Sequence, residues 1–237
     1  MKYQTSPMVL RQVTGFVLGI VVLGLLSSHT LAAQESRSSQ VQQAAGEPGS
    51  QQVESPDVVI FDGSNSAPWR MYVGSNSNWM VPVEGPETTT YKSNVVTVRT
   101  ADHIKRDDAY QAEWQGGLGQ VYFQEFEPWD LTTLAAEGGA LSMVIRIDRK
   151  PKKSVDLKMD CGYPCAGTLN MTKLFKAVPQ NQWFRASFKL SCFKEAGANL
   201  SHIVSPLVIA TKGSFEMSIS DVRLLTDPPP ESLVGCG

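Results

Sequence analysis

The sequence predicts an all-β fold, a jelly-roll β-sandwich with short connecting helices spanning residues 57–226. Three observations predict it. From Asp57 onward, short apolar or alternating runs recur, each bounded by Gly, Pro, Asn or Ser. Several of these runs put their apolar residues on one face with a period of two, as a half-buried strand does. Helical signals are few and short.

The elements follow in order. VVIF (58–61) is the first strand, ended by DGSNSAP. SNSAPWRMYVGSNSNWMVPVEG (64–85) is dense in Asn, Ser and Gly and reads as loop. NVVTVRT (94–100) alternates and is rich in β-branched residues, which suit a pleated surface. YQAEWQG (110–116) and QVYFQEF (120–126) are the next strands. In ALSMVIRID (140–148), Leu141, Met143, Ile145 and Ile147 share a face; Arg146 projects to the opposite one. SVDLKMDC (154–161) aligns Val155, Leu157 and Met159, and WFRASFKLSCF (183–193) aligns Phe184, Ala186, Phe188 and Leu190. PLVIAT (206–211) and SFEMSISDVRLL (214–225) close the domain. LTTLAAEG (131–138), TLNMTKLFKA (168–177) and CFKEAGANL (192–200) read as short helical connections. Three prolines stop the last strand, so DPPPESLVGCG (227–237) is expected to be a flexible tail.

The 237 residues leave room for one well-cored domain plus extras. Lys2 and Arg11 precede an apolar run from Val13 to Leu26, followed by SSHTLAAQE, the pattern of a signal peptide over residues 1–33. The run falls short of the ~20 residues a membrane-spanning helix needs. A membrane enters only if this segment stays uncleaved. Residues 34–56 contain no aromatic, Leu, Ile or Met and cannot bury enough surface to offset their ordering entropy. They are expected to be a disordered linker. The formal net charge is −2, and removing residues 1–33 takes away two cations and no anion. A phosphate-tracking protein carries a basic patch, so nucleic acid is not an expected partner.

Four cysteines follow the apolar run: Cys161, Cys165, Cys192 and Cys236. Export implies an oxidising compartment where disulfides persist. Cys161 and Cys165 flank the turn-forming Gly162-Tyr163-Pro164, and a local bridge is expected there. Cys192 is either a buried free thiol or the partner of Cys236; the sequence leaves both open. The cysteine spacing and the scattered His29, His103 and His202 disfavour zinc.

The order of CGYPCAG (161–167), LSCF (190–193), AGANL (196–200) and SISDVRL (218–224) resembles the C-terminal galactose-binding-like domain of ExoP-type family 3 glycoside hydrolases. The resemblance extends upstream through PWRMYVGSNSNWMVPVEG (68–85), DDAYQAEWQG (107–116) and ALSMVIRID. It implies a galactose-binding-like sandwich and a bacterial, secreted or periplasmic protein. In those enzymes the nucleophile and acid sit on large α/β domains for which this chain has no room, so the resemblance implies a non-enzyme. No GxSxG elbow suggests another hydrolase. The implied function is binding of a polysaccharide or oligosaccharide, β-glucan-like in kind. The alternative is an accessory module docking on a separate glycoside hydrolase or envelope protein.

Sugar rings lay apolar faces on aromatic side chains, and their hydroxyls pair with planar polar groups. Trp114 and Trp183 lie in strands and read as packing. Trp69, Trp79 and Trp129 lie in loop-like segments and are the candidate platforms, with Arg70 and Arg146 as candidate hydroxyl partners. For Arg146 a salt-bridged surface role is the competing reading. Asp62 and Asp221 are candidate ligands of a structural Ca²⁺ joining the first and last strands, although such an ion wants six to eight oxygens. Asp221 fits a turn or bulge equally well.

Overall fold

The computed structural model describes residues 57–92 and 94–236. The expected signal peptide and linker lie outside the described residues. Strands β1 (Val58–Phe61), β2 (Arg70–Ser75), β3 (Asn78–Pro82), β4 (Glu87–Thr89), β5 (Val96–Ala101), β6 (Ala109–Gln115) and β7 (Gly119–Gln124) lead into helix α1 (Thr132–Ala136). Then come β8 (Ala140–Arg149), β9 (Val155–Asp160), β10 (Ala166–Asn170), α2 (Thr172–Ala177), β11 (Trp183–Lys189) and α3 (Leu190–Glu195). The long strands β12 (Ser205–Thr211) and β13 (Ser214–Leu225) precede a 3₁₀ turn at Pro230–Ser232 and β14 (Leu233–Val234).

The strands form two sheets. One runs β14-β11-β8-β13-β6-β5-β4, with β1 also on β13; the other runs β10-β9-β12-β7-β2-β3. Alternation puts one face of each sheet into a shared core. In the first sheet Phe184 lies opposite Ile145, Phe188 opposite Leu141, and Met217 opposite Ile147. In the second, Leu207 and Met71 flank Phe123, while Ile209 and Val73 flank Val121. All of these except the half-buried Phe184 are buried. Trp114 is fully enclosed, stacked 5.4 Å from Phe215, with its indole N–H donating to the Gly119 carbonyl at 3.1 Å.

Several expectations are corrected. The loop-like 64–85 segment contains the β2–β3 hairpin, with the Asn- and Ser-rich residues forming its turn. TLN of 168–170 belongs to strand β10, and LSCF of 190–193 begins helix α3. Trp183 does not enter the core: Phe184, Ala186 and Phe188 face inward, so strand alternation turns Trp183 to the outer surface. Residues 227–236 are not a flexible tail. The prolines do end β13, but Leu233 and Val234 then pair in parallel with Ser187 and Phe188 at the edge of the first sheet. The hydroxyls of Ser187 and Ser232 lie 2.8 Å apart, and Cys236 is bonded to Cys192. Cys161 is bonded to Cys165 as expected, and the free-thiol alternative for Cys192 falls away.

Candidate functional site

The two sheets have chemically different outer faces. On the first, charged side chains pair with one another. Glu113 bridges Arg99 and Arg149, Arg149 also reaches Glu216, and Arg146 joins Asp148 and the Ser218 hydroxyl. Hydrogen bonding from Arg149, helped by Arg99, holds the Glu113 carboxyl below its ordinary range despite partial burial.

The second sheet carries a groove. Strand register sets Thr168, Lys158, Val208, Tyr122, Tyr72 and Pro82 side by side in one row across all six strands. Their neighbours of opposite parity, such as Leu157, Val121 and Val73, fill the core, so this row faces out. Tyr72 and Tyr122 stack at 5.4 Å and, with Val208, form a buried apolar floor separate from the core; Tyr122 and Val208 of it line the groove. The Tyr122 hydroxyl donates to the Trp79 carbonyl at 2.7 Å. Burial pushes the Tyr122 phenol well above its ordinary range, with Tyr72 and Asp160 adding to the shift, so it stays a donor. Gln120 and Gln124 flank Tyr122 on the same strand face, and Lys158 and Asp160 lie beyond Val208. These residues line a groove of about 710 Å³.

Aromatic walls stand at the two sides of the sheet. Trp79, 42% exposed, comes from β3, where a register shift in the β2–β3 pairing lifts the hairpin over the floor. Gly74 makes this possible: a Cβ there would stand 2.4 Å from the Trp79 carbonyl oxygen. On the other side, Tyr163 is 99% exposed at the tip of the β9–β10 turn. The turn is held by the Cys161–Cys165 bridge, by the Cys165 N–H donating to the Gly162 carbonyl at 2.8 Å, and by the Gly162 N–H donating to Asp160 Oδ1 at 2.7 Å. Four strand spacings separate β9 from β3, roughly 20 Å.

Of the expected site residues, the structure brings Trp79 into this groove. Arg70 begins β2 beside its cross-strand partner Gln124, at the groove's end. Trp69 is corrected: it is 1% exposed, packed 4.9 Å from Trp129, and its ring offers no platform. Trp129 is corrected with it, half-buried against the core and tied by its backbone to Ile203. Arg146 is corrected as well. It lies on the other sheet, its guanidinium 4.8 Å from the centre of the Trp183 ring and paired with Asp148, as the salt-bridged reading had it.

The calcium expectation also fails. Asp62 and Asp221 do line one small cavity, but Asp221 sits at a bulge with φ 43° and both its oxygens accept from Arg185 and Arg223. Burial alone would raise the Asp221 carboxyl; the two guanidiniums outweigh it and hold it below its ordinary range. Asp108, in the same cavity, accepts from the backbone N–H groups of His103, Ile104 and Lys105. Among the described residues, no cluster of three His, Cys, Asp or Glu could hold a metal.

Sequence reading passed over Tyr72, Tyr122, Tyr163, Gln120, Gln124, Lys158 and Asp160. Part of the signal was present. In QVYFQ, Val121 and Phe123 alternate with Gln120, Tyr122 and Gln124, a polar and aromatic face on a strand whose other face is apolar.

The sequence model of the ExoP C-terminal family, described as galactose-binding domain-like, matches residues 67–224. Among solved structures, the chain is similar to the extra C-terminal domain of the exo-1,3/1,4-β-glucanase ExoP from a Pseudoalteromonas species. Identity is 16%, coverage is 76% of this chain and 99% of that domain, and the TM-score is 0.65. Against the whole ExoP chain, the match covers 78% of this chain and 22% of the enzyme at the same TM-score of 0.65. The family 30 carbohydrate-binding module of a cellulosomal cellulase of Clostridium thermocellum matches at 17% identity, 73% and 99% coverage, and a TM-score of 0.53. At these identities the likeness shows the fold. No curated protein sequence matches the chain.

Proposed function

This chain belongs to the galactose-binding domain-like family of ExoP C-terminal domains, and from that premise we propose that it is an exported, non-catalytic carbohydrate-binding module. Its ligand in this reading is a β-glucan-like polysaccharide lying across the second sheet between Trp79 and Tyr163. The observation that carries the proposal is the groove itself. An exposed aromatic stands at each side, Tyr122 and Val208 lie between them, and Gln120, Gln124, Lys158 and Asp160 offer donors and acceptors to hydroxyls. The β-glucan assignment draws on the relatives, one a domain of an exo-1,3/1,4-β-glucanase and one a module of a cellulase. Glycoside hydrolysis usually needs a pair of carboxyl groups flanking the bond. Asp160 is the one carboxylate among the described residues lining the groove, where such a pair would need two. Two disulfides suit an oxidising compartment, periplasmic or extracellular.

Affinity electrophoresis of the exported protein in gels containing β-1,3-, β-1,4- and mixed-linkage glucans tests the reading. Retardation is expected, and Trp79→Ala or Tyr163→Ala should weaken binding by roughly 1–3 kcal/mol, as for other aromatic anchors. Unchanged mobility of the wild type across the panel would refute it. A second reading, an accessory module that docks on a separate glycoside hydrolase, is favoured by the place of the matching domain within a larger enzyme chain. Co-elution with a purified family 3 hydrolase, with no glycan binding, would select it.

A further inference from the structure

We propose that a cavity beside the β1–β2 connection is a second subsite, one that reads hydroxyl groups of a neutral sugar residue, and that a single glycan chain runs from the groove into it. The inference rests on the carbohydrate-binding reading of the groove.

The cavity is about 690 Å³, close to the groove in size. Gln124 lines both, so the two meet at that side chain. Beyond it lies Arg70, and Phe126, 61% exposed, adds an aromatic face to the lining. Two lining residues carry buried polar atoms without a partner: Trp69, through its indole Nε1, and Asn65, through its Oδ1. Buried polar atoms in native proteins are nearly always paired, so two orphans beside one cavity call for a polar partner there. An indole N–H only donates and an amide oxygen only accepts. A hydroxyl does both, and sugar residues present hydroxyls in quantity. Trp69 thus contributes its N–H to the site while its ring remains a core element. Among the described residues of the cavity wall, Glu84 and Glu125 outnumber the cation Arg70, which favours a neutral residue over a uronate or sulfated one.

The test is an NMR titration of the exported protein with cellobiose, cellohexaose and a mixed-linkage β-1,3/1,4 hexasaccharide. The indole N–H signals of Trp69 and Trp79 are assigned by Trp→Phe replacement. A hexasaccharide is expected to shift both signals and the disaccharide to shift Trp79 more than Trp69. Phe126→Ala and Arg70→Ala should each weaken hexasaccharide binding about tenfold. Should a hexasaccharide shift Trp79 while Trp69 stays still and Phe126→Ala binds as wild type does, the second subsite is overturned and the groove stands. Movement of Trp69 without Trp79 overturns the groove and the single chain joining the two sites, and leaves the cavity as a sugar site by itself. Movement of neither with any of the three sugars overturns both.

Discussion

Removing the two disulfides one at a time should cost unequal amounts of stability, in a ratio set by the chain each one closes. Cys192 and Cys236 are 44 residues apart in sequence, Cys161 and Cys165 only 4. A cross-link restricts the unfolded chain in proportion to the logarithm of the loop it closes. That gives about 4 kcal/mol for the long loop and about 2 kcal/mol for the short one. The long bridge has a second role. Besides the bridge, the last residues are held by the two-residue β14 ladder, the Ser187–Ser232 contact and the packing of Val234 on the core, a short edge open to fraying. Paired variants, Cys192→Ala with Cys236→Ala and Cys161→Ala with Cys165→Ala, would be compared with the wild type by equilibrium guanidinium unfolding and linear extrapolation. The long-bridge variant should lose about twice as much and should become sensitive to carboxypeptidase. The short-bridge variant should fold and lose less, with its effect concentrated on Tyr163 and glycan affinity. Equal losses, or a larger loss from the short bridge, would refute the chain-entropy account and place the stabilisation in native contacts.

Stability should fall in acid. Asp221, Glu113 and Asp108 have carboxyls held below their ordinary values, so their contribution is full above the unfolded values near pH 4 and is lost as pH falls through the lower folded ones. Unfolding measured between pH 2 and 6 should show this slope, and Asp221→Asn should flatten it; an unaltered slope would contradict the role given to the Arg185–Asp221–Arg223 cluster. Gly74→Ala should displace the Trp79 backbone and lower stability by about 1–3 kcal/mol, together with glycan affinity by calorimetry; wild-type affinity would show that the close approach does not position Trp79. Trp69→Ala should cost about 3–5 kcal/mol of stability in thermal and chemical melts, whereas Trp79→Ala, at a residue 42% exposed, should cost far less. Similar losses from the two would contradict the burial assigned to them.

The β-sandwich could be read from the chain because alternation is a local property. Leu141, Met143, Ile145 and Ile147 declare a buried face whatever strand lies beside them, and the Cys161–Cys165 turn closes within five residues. The core sides of β8, β9 and β11 needed no knowledge of strand order. The remainder depended on partners distant in sequence. Asn, Ser and Gly around Trp79 looked like loop because their role is to turn a hairpin whose other contacts come from β7. Trp69 and Trp79 have similar sequence surroundings, yet one is packed against Trp129 and the other stands open, since burial is decided by what the rest of the chain lays over a residue. Asp221 offered a carboxylate suited to calcium until β11 and β13 brought two arginines to it. The groove is the clearest case. Trp79, Tyr122, Lys158 and Tyr163 become neighbours through the order β10-β9-β12-β7-β2-β3, a pairing of non-consecutive strands. Periodicity tells a strand which of its faces is wet. It carries no information about which other wet faces will lie alongside, because that choice is made by the packing of the whole core.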